Sequence, residues 1–414
     1  MNTEETRRRF LTGIAAASAL AIRPRGVARA EEGEAYWEEV RKKFPFGEDR
    51  VPMNAANLCP SPTSVAATVT ELTRSIDQDC SFQNRERYAS DREAARASVA
   101  DQIGAEADEV ALVRNTSEAN NIINNGLDLK AGDEVVIWRQ NHPTNNVAWK
   151  VRAQRRGFSL REVEVPPNPA DPDELIRPFR EAISPRTRVL AITHASNVSG
   201  LLLPVRELCE FARRTGIYVH VDGAQSWGAL KLDLHELGCD SFAASAHKWY
   251  CGPKEVGLLY VRRERIPEIW PSTVAPGWGE EADTELEGAR KFESMGQRDD
   301  AAISAMSEAA KFHSAIGTDR VEQRVRELSS LLKQSLAEAG ATLVTPLDNK
   351  LSAGVCIVQV VPEKRQAVFD AMYDKFGIAG STSGGFRLCP HVYNTREHIQ
   401  RAARGVASLR PLWA

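Results

Sequence analysis

The chain has 414 residues, of which 42% are hydrophobic and 26% are charged, and this is the composition of an ordinary globular protein. Its 53 Lys and Arg residues face 56 Asp and Glu residues, so the formal net charge of −3 excludes a protein that binds nucleic acid through its overall charge. At this length more than one domain is expected, and small-molecule chemistry is the first hypothesis.

The first thirty residues are ordered like an export signal. Arginines at 7–9 precede Phe10 and the uncharged stretch Leu11–Ile22, and residues 28–30 read Ala-Arg-Ala. The uncharged stretch is shorter than the roughly 20 residues that cross a bilayer, so it predicts no stable membrane anchor. The arginine pair before Phe-Leu resembles a twin-arginine signal. We expect residues 1–30 to be cleaved after the twin-arginine translocase has carried a periplasmic or secreted protein across; a disordered basic tail is the alternative.

Short β-branched runs alternate with amphipathic segments between residues 100 and 265. This alternation predicts a mostly parallel sheet covered by helices on both faces, with ligands beyond the carboxyl ends of its strands. The amphipathic segment 205–215 is one of the predicted helices. The seven predicted strands are 109–114, 134–138, 159–165, 189–194, 218–221, 241–244 and 257–262.

The pattern changes after Gly296, where helical segments come first and two strands with a helix between them follow. These segments are 299–316, 319–339, 354–360 and 385–389. They predict a second, smaller α+β domain, which the N-terminal residues after the signal are expected to join. The expected domain limits are 71–300 for the large domain and 31–70 with 301–414 for the small one.

The seven cysteines are scattered along the chain and contain no C-x-x-C pair. This pattern predicts neither a zinc cage nor a disulfide framework, although one occasional disulfide stays possible in an oxidising compartment. We expect most of them to be buried as small apolar residues.

Two motifs in the predicted sheet carry chemistry. Asp222 ends an apolar strand and is followed by small residues, so its carboxylate points into the ligand crevice beside room for a flat ring. Lys248 follows a later strand and has aromatic neighbours, which would remove its ammonium from water and make it a nucleophile for carbonyls. Taken alone, Asp222 fits a helix cap or a metal ligand equally well, and Lys248 fits a solvated lysine. Together they predict a chemical site.

Together with their flanking residues, Asp222 and Lys248 resemble the pyridoxal-phosphate site of the class V aminotransferase family, which includes cysteine desulfurases and isopenicillin N epimerase. Further motifs of that family follow in order: Arg114-Asn115-Thr116-Ser117, Gln140-Asn141-His142-Pro143, Thr193–Gly200 and Gly384-Gly385-Phe386-Arg387. The resemblance runs from about residue 52 to 410 and depends on the ordered set. It implies fold type I of the pyridoxal-phosphate (PLP)-dependent transferases, an α/β fold with a mostly parallel seven-stranded sheet between helices and a smaller α+β domain.

The resemblance also implies pyridoxal 5'-phosphate as the cofactor and gives the motifs their roles. Lys248 would join it as a Schiff base, Asp222 would pair with the ring nitrogen and His142 would stack on the ring. The other implied cofactor contacts are Thr116, Ser117, Asn197, Gln225, Ser245, His247 and Gln297. Arg387 and Asn57 are implied to bind the substrate, Arg387 through its carboxylate.

Without the resemblance, bland interpretations of three of these elements stay open. Residues 114–120 are then a plain strand-to-helix cap, His142 is a loop histidine and Arg387 is a surface arginine on a strand.

Two segments depart from the family pattern. Gln297 stands where members often have a Thr that reaches the phosphate of the neighbouring subunit, and it can still donate a hydrogen bond, so we expect a homodimer. The turn Gly380–Gly385 lacks the mobile Cys of many cysteine desulfurases, which argues against persulfide chemistry. Cys389 shares a strand face with Arg387 and is expected to be a packing residue.

The predicted function is a pyridoxal-phosphate enzyme that acts at the α-carbon of an amino acid or peptide, like isopenicillin N epimerase, by epimerase or aminotransferase chemistry. Every such reaction needs Lys248 to move a proton. A C–S lyase or cysteine desulfurase-like enzyme is the alternative, and an oxidative variant also stays open. A non-catalytic pyridoxal-phosphate module and a metal-dependent hydrolase using His220 and Asp222 are weaker hypotheses, the latter because a third ligand is missing.

Overall fold

The computed structural model describes residues 33–275 and 288–413. The predicted export signal, residues 1–30, lies outside the described residues. Within the described ranges, no helix is both long enough and apolar enough to span a bilayer.

Eleven strands are found in the described residues, and seven of them form one sheet. They are β1 (Val51–Pro52), β2 (Val110–Val113), β3 (Glu134–Trp138), β4 (Ser159–Val163), β5 (Thr187–Thr193), β6 (Tyr218–Asp222), β7 (Ser241–Ser245), β8 (Gly257–Val261), β9 (Cys356–Val358), β10 (Ile378–Ala379) and β11 (Phe386–Leu388). The order in the large sheet is β2-β8-β7-β6-β5-β3-β4. Strands β3 to β7 pair in parallel, and β8 runs antiparallel to both β7 and β2. All seven predicted strands are confirmed, with ends within two residues of the prediction.

The central strands are buried because both faces of the sheet are covered. Every residue of β3, β6, β7 and β8 is buried, whereas the edge strand β4 is largely exposed. Continuous apolar runs of this kind are typical of parallel strands that lie between two layers of helices.

The helices flank the sheet and build the C-terminal region. They are α1 (Glu34–Arg41), α2 (Thr63–Gln78), α3 (Phe82–Arg85), α4 (Arg87–Gln102), α5 (Thr116–Gly126), α6 (Pro143–Arg156), α7 (Pro172–Ala182), α8 (Val205–Arg213), α9 (Leu234–Leu237), α10 (Asp300–Ser304), α11 (Met306–Ile316), α12 (Thr318–Glu338), α13 (Pro362–Phe376), α14 (Arg396–Ser408) and α15 (Arg410–Trp413). Short 3-10 helices cover Ala107–Glu109, Arg263–Glu268 and Gly288–Glu293. The helix predicted over 299–316 is wrong in one respect, because it is interrupted at Ala305 between α10 and α11.

The buried apolar residues form two hydrophobic clusters, which are built from different parts of the chain. One packs the sheet against helices such as α5 and α6, with Ile123 and Trp149 among its buried members. The other joins Val51 and Met53 to residues of α12, α13, α14 and the antiparallel pair β9 and β11. The N-terminal residues also reach the C-terminal region through the parallel pairing of β1 with β10. The predicted domain limits stay a prediction.

Candidate active site

A cavity of about 170 Å³ lies beyond the carboxyl ends of β5, β6 and β7. The side chains that line it come from five separate strand-to-helix or strand-to-loop connections, those after β2, β3, β5, β6 and β7, as expected for a parallel sheet. They are Asn115, Thr116, Ser117, His142, Thr144, Thr193, Asn197, Asp222, Ala224, Gln225, Ser245, His247 and Lys248. Nine of the twelve predicted site residues therefore line one cavity.

Lys248 projects into this cavity from a rigid turn. Its carbonyl accepts a hydrogen bond from Cys251 N (2.9 Å), and Gly252 N donates to Ala246 O (2.7 Å), which closes the loop after β7. Gly228 makes room for the loop, because a Cβ there would lie 2.4 Å from Tyr250 N. The backbone that carries the lysine is thus fixed.

The Lys248 ammonium itself has no hydrogen bond or ion pair in the part of the chain that the structure describes. Burial lowers the pKa of Lys248, the Asp222 carboxylate opposes that shift, and the Arg387 guanidinium adds to it. An amine with a lowered pKa is more often neutral and so is a better nucleophile and proton acceptor.

Asp222 is almost fully buried at the end of β6, and both carboxylate oxygens are held. Ala224 N donates to Oδ1 (3.1 Å), and Asn120 Nδ2 donates to Oδ2 (3.0 Å). Each oxygen keeps acceptor capacity for one further donor in the cavity.

The N-terminus of α5 brings hydroxyl and amide groups to the cavity. Thr116 N donates to Ser245 Oγ (2.8 Å), and the Thr116 and Ser245 hydroxyls lie 2.6 Å apart. Asn115 Oδ1 accepts from Glu118 N, so the cap interpretation of this loop is confirmed. Gly257 permits the close approach, since a Cβ there would lie 3.0 Å from Asn115 Cα. A helix N-terminus that ends in a cavity favours a bound anion such as a phosphate.

Two histidines line the cavity, and the pKa of each is lowered. His142 is half-buried and caps α6, with Nδ1 accepting from Thr144 N (3.3 Å). Burial and the cation of Lys248 lower the pKa of His142, and Asp222 opposes this. Burial lowers the pKa of His247 to about 4, with further contributions from Lys248 and Lys254.

Gln225 is held at both ends of its amide. Nε2 donates to Ala56 O (3.0 Å), and Oε1 accepts from Trp249 Nε1 (2.8 Å). One amide hydrogen remains for a ligand in the cavity.

Arg387 on β11 is only 3% exposed, so its interpretation as a surface arginine is wrong. Nη1 donates to Asn197 O (2.9 Å) and Nη2 donates to Asn54 Oδ1 (3.0 Å). Its Nε is buried without a hydrogen-bond partner among the described residues. A guanidinium held from two sides with a free donor suits a carboxylate ligand.

Three predicted residues, Arg387, Asn57 and Gln297, are not among those that line the cavity, and the last two are exposed. The exposed Asn57 gives only a backbone hydrogen bond to Asn54 O. Gln297 is also exposed; it accepts from Arg85 Nη1 (2.9 Å) and donates to Asp300 Oδ2 (3.0 Å). Its predicted contact with a neighbouring subunit stays a prediction.

The sequence analysis missed two asparagines that hold predicted residues in place, Asn54 beside Arg387 and Asn120 beside Asp222. A signal for Asn120 was present, because Thr116, Asn120 and Asn124 recur at four-residue spacing and so share one face of α5. All three are buried, whereas polar residues on a helix face that points to water would be exposed.

Comparison with known proteins gives a consistent result. The Aminotransferase class-V family matches residues 66–409. Isopenicillin N epimerase of Streptomyces clavuligerus is 32% identical over 391 residues, which are 90% of this chain and 98% of that protein. A probable cysteine desulfurase of Methanothermobacter thermautotrophicus is 28% identical, over 88% of this chain and 95% of that one.

Two solved structures show the same fold. The apo cysteine desulfurase of Thermococcus onnurineus NA1 superposes with a TM-score of 0.80 at 23% identity, covering 90% of this chain and 97% of that one. A C-DES variant with glycine linked to its pyridoxal-phosphate cofactor gives a TM-score of 0.81 at 23% identity, covering 89% and 98%. The fold is therefore fold type I of the pyridoxal-phosphate enzymes.

Proposed function

This chain belongs to the class V aminotransferase family of pyridoxal-phosphate enzymes, and on that premise we propose that it removes and returns the α-proton of an amino acid or peptide, as an epimerase. The observation that carries the proposal is the unpartnered Lys248 amine, which lines the same cavity as Asp222 and whose pKa is influenced by both Asp222 and Arg387. The similarity to isopenicillin N epimerase over nearly the full chain supports it.

The described residues fit pyridoxal phosphate. Lys248 offers an amine without a partner, Asp222 offers acceptor capacity for a ring nitrogen, and the Thr116 hydroxyl and helix N-terminus suit the phosphate. When bound, this cofactor accepts the electron pair that is left on the α-carbon once its proton is removed. His142 and Gln225 would border the ring.

Each of the remaining steps falls to a side chain of this protein. Arg387 binds the substrate carboxylate and so fixes the α-carbon, since a planar guanidinium fork matches a carboxylate and each Nη keeps one further N–H. The Lys248 amine takes the α-proton from one face of that carbon, and the resulting Lys248 ammonium supplies, by proton transfer through cavity water, the proton that adds to the opposite face, so the neutral amine is regenerated. One C–H bond breaks and one forms, so epimerisation needs no oxidant, reductant or second substrate.

The cysteines favour this reaction over persulfide chemistry. All seven are free and lie in the described residues, six of them buried, and none lines the cavity. Cys389, after Arg387, is fully buried, and burial raises the pKa of its thiol. A desulfurase needs a thiolate that reaches the substrate sulfur.

A C–S lyase is the second candidate, because β-elimination also starts with loss of the α-proton and needs no cysteine nucleophile. A solved neighbour, described as the cystine C–S lyase C-DES bound to its product cysteine persulfide, has a TM-score of 0.79.

The test is incubation of the cofactor-loaded protein in heavy water with free amino acids, short peptides and cysteine conjugates. Deuterium at Cα together with inversion supports the epimerase. Pyruvate with ammonia indicates the lyase, and a keto acid with pyridoxamine phosphate indicates a transaminase. Lys248→Ala is the control for chemistry at this site, and no exchange with any substrate overturns the proposal.

We also propose that residues 1–30 send the folded protein through the twin-arginine translocase and that the mature protein is a periplasmic or secreted homodimer. The order of basic, apolar and small residues supports export, and the position of Gln297 supports a shared site. Cell fractionation of the Arg7→Lys/Arg8→Lys double variant tests export: retention in the cytoplasm supports it. Light scattering tests the dimer: a monomeric mass contradicts it.

A further inference from the structure

Behind Asp222 runs a row of buried polar side chains that reaches away from the cavity. Asn120 Nδ2 donates to Asp222 Oδ2 (3.0 Å), and Asn120 Oδ1 lies 2.8 Å from His220 Nε2. His220 Nδ1 lies 2.8 Å from Ser241 Oγ. Asn120 is 1% exposed, and His220 and Ser241 are 0% exposed. We call Asn120, His220 and Ser241 the relay.

The chemistry of the groups fixes the direction of every hydrogen bond in the relay. Asp222 as a carboxylate can only accept, so the Asn120 amide must direct its NH₂ toward Asp222 and its oxygen toward His220. Burial lowers the pKa of His220 to about 3, so its ring is neutral and carries one proton. That proton must lie on Nε2, and Nδ1 accepts from the Ser241 hydroxyl.

We infer that Asn120 and His220 are positioning residues, which hold the Asp222 carboxylate aimed as an acceptor for the ring nitrogen of the cofactor. Asn120 Nδ2 and Ala224 N each hold one oxygen of the carboxylate, so loss of the Asn120 donor would leave one oxygen unheld and let the carboxylate turn away from the cavity. Buried partners behind a ligating side chain fix its orientation in the same way in metal sites. This inference rests on the assignment of Asp222 within the proposed function.

The first experiment observes the His220 tautomer in the cofactor-free protein. Long-range ¹H–¹⁵N spectra of protein labelled in its histidines, with the His220 signal identified by its loss in His220→Gln, report which ring nitrogen carries the proton. We expect a neutral ring protonated on Nε2 at neutral pH. A proton on Nδ1, or an imidazolium, overturns the inference.

The second experiment compares two asparagines of one helix. Asn120→Leu removes both relay bonds, whereas Asn124→Leu changes a residue one turn later that is also 1% exposed and whose amide has no hydrogen-bond partner among the described residues. By analogy with side chains that hydrogen-bond to the ligands of metal sites, we expect the dissociation constant for pyridoxal phosphate to rise roughly tenfold or more in Asn120→Leu. We also expect the visible absorption of the bound cofactor to change. Asn124→Leu should leave both unchanged, and equal effects of the two variants would show a packing role only.

If Asn120→Leu does not fold, a comparison of two His220 variants tests the positioning role instead. His220→Gln can place an amide N–H near the position of Nε2, so we expect it to keep cofactor affinity within about threefold, while His220→Leu loses it roughly tenfold. Equal affinity in the two variants overturns the inference. All three readouts are taken without substrate, so failure of the epimerase assay leaves them intact, and their failure leaves the reaction assay intact.

Discussion

Two lysines of this protein differ in what surrounds their ammonium groups: Lys333 is fully buried, whereas Lys248 is half-buried and lines the cavity. Lys333 on α12 is 0% exposed, and its ammonium donates to Pro346 O (3.1 Å), Leu347 O (3.1 Å) and Ser352 Oγ (2.7 Å). Lys248 has no such donor contact among the described residues. Burial lowers the pKa of each of them.

The difference teaches that a shifted pKa does not by itself mark a functional lysine. All three donor positions of Lys333 are used, so the group stabilises the loop 346–352 and has nothing left for a ligand. Lys248 is desolvated and unused, which is unfavourable for folding and suited to chemistry. The following tests separate the two.

The largest expected effect is on catalysis in Lys248→Ala. We expect exchange of the α-proton to fall by at least about 10³-fold, because general base catalysis contributes on that order. The melting temperature should change little, since no described hydrogen bond is lost. Deuterium incorporation followed by NMR measures the rate, and near-normal exchange in a folded variant contradicts the role of Lys248.

The reverse result is expected for Lys333→Met. Three acceptors, of which the Ser352 hydroxyl is fully buried, lose a charged donor, so we expect the free energy of unfolding to fall by about 2–4 kcal/mol, while kcat stays within about twofold. Urea denaturation measures the loss. Lys350→Met, an exposed lysine of the same loop, is the control and should change stability by less than about 0.5 kcal/mol. A loss of kcat in Lys333→Met without a loss of stability would contradict the structural role of Lys333.

A smaller effect is expected for Arg387→Leu, which removes a neighbour of Lys248 and the predicted carboxylate ligand. We expect KM for an amino acid to rise roughly 10- to 100-fold, in line with the loss of charge-assisted hydrogen bonds. Steady-state kinetics with the matching amino-acid amide is the control. If both substrates lose affinity equally, Arg387 does not read the carboxylate.

The smallest effect is a shift in the pH dependence of Lys248. Only the neutral amine reacts with an acylating reagent, so in the cofactor-free protein the rate should rise with pH and reach its midpoint below 10.5, the ordinary lysine value. Arg387→Leu removes a cation that lowers the pKa of Lys248, so the midpoint should move to higher pH. Mass spectrometry of the labelled peptide follows this, and a midpoint that does not move contradicts the coupling.

The fold could be predicted from the sequence to a large extent. The strands β3 and β5 to β8 are apolar runs bounded by turns, and a run of that kind has no stable place except a buried sheet. The weaker points were short elements, such as the two-residue strands β1 and β10, which exist only because they pair with each other. The break at Ala305 carried no sequence signal.

Site residues could be predicted where a short sequence motif is distinctive. They could not be predicted where a side chain finds its hydrogen-bond partners far away in the sequence. His220 could have been a metal ligand on its sequence position, but both of its ring nitrogens are hydrogen-bonded to Asn120 and Ser241. Similarly, Lys333 lies in a helix whose pattern gives no sign of a buried ammonium.

The sequence by itself determined which groups are available: a carboxylate at a strand end, a lysine after the next strand, a capped helix and a late arginine, in family order. Only the tertiary structure decided which of them are satisfied. Arg387 meets Asn54 across 333 positions of the chain, and Asp222 meets Asn120 across 102. The physical reason is that a hydrogen bond depends on distances of about 3 Å between atoms, and those distances are set by the packing of the whole fold.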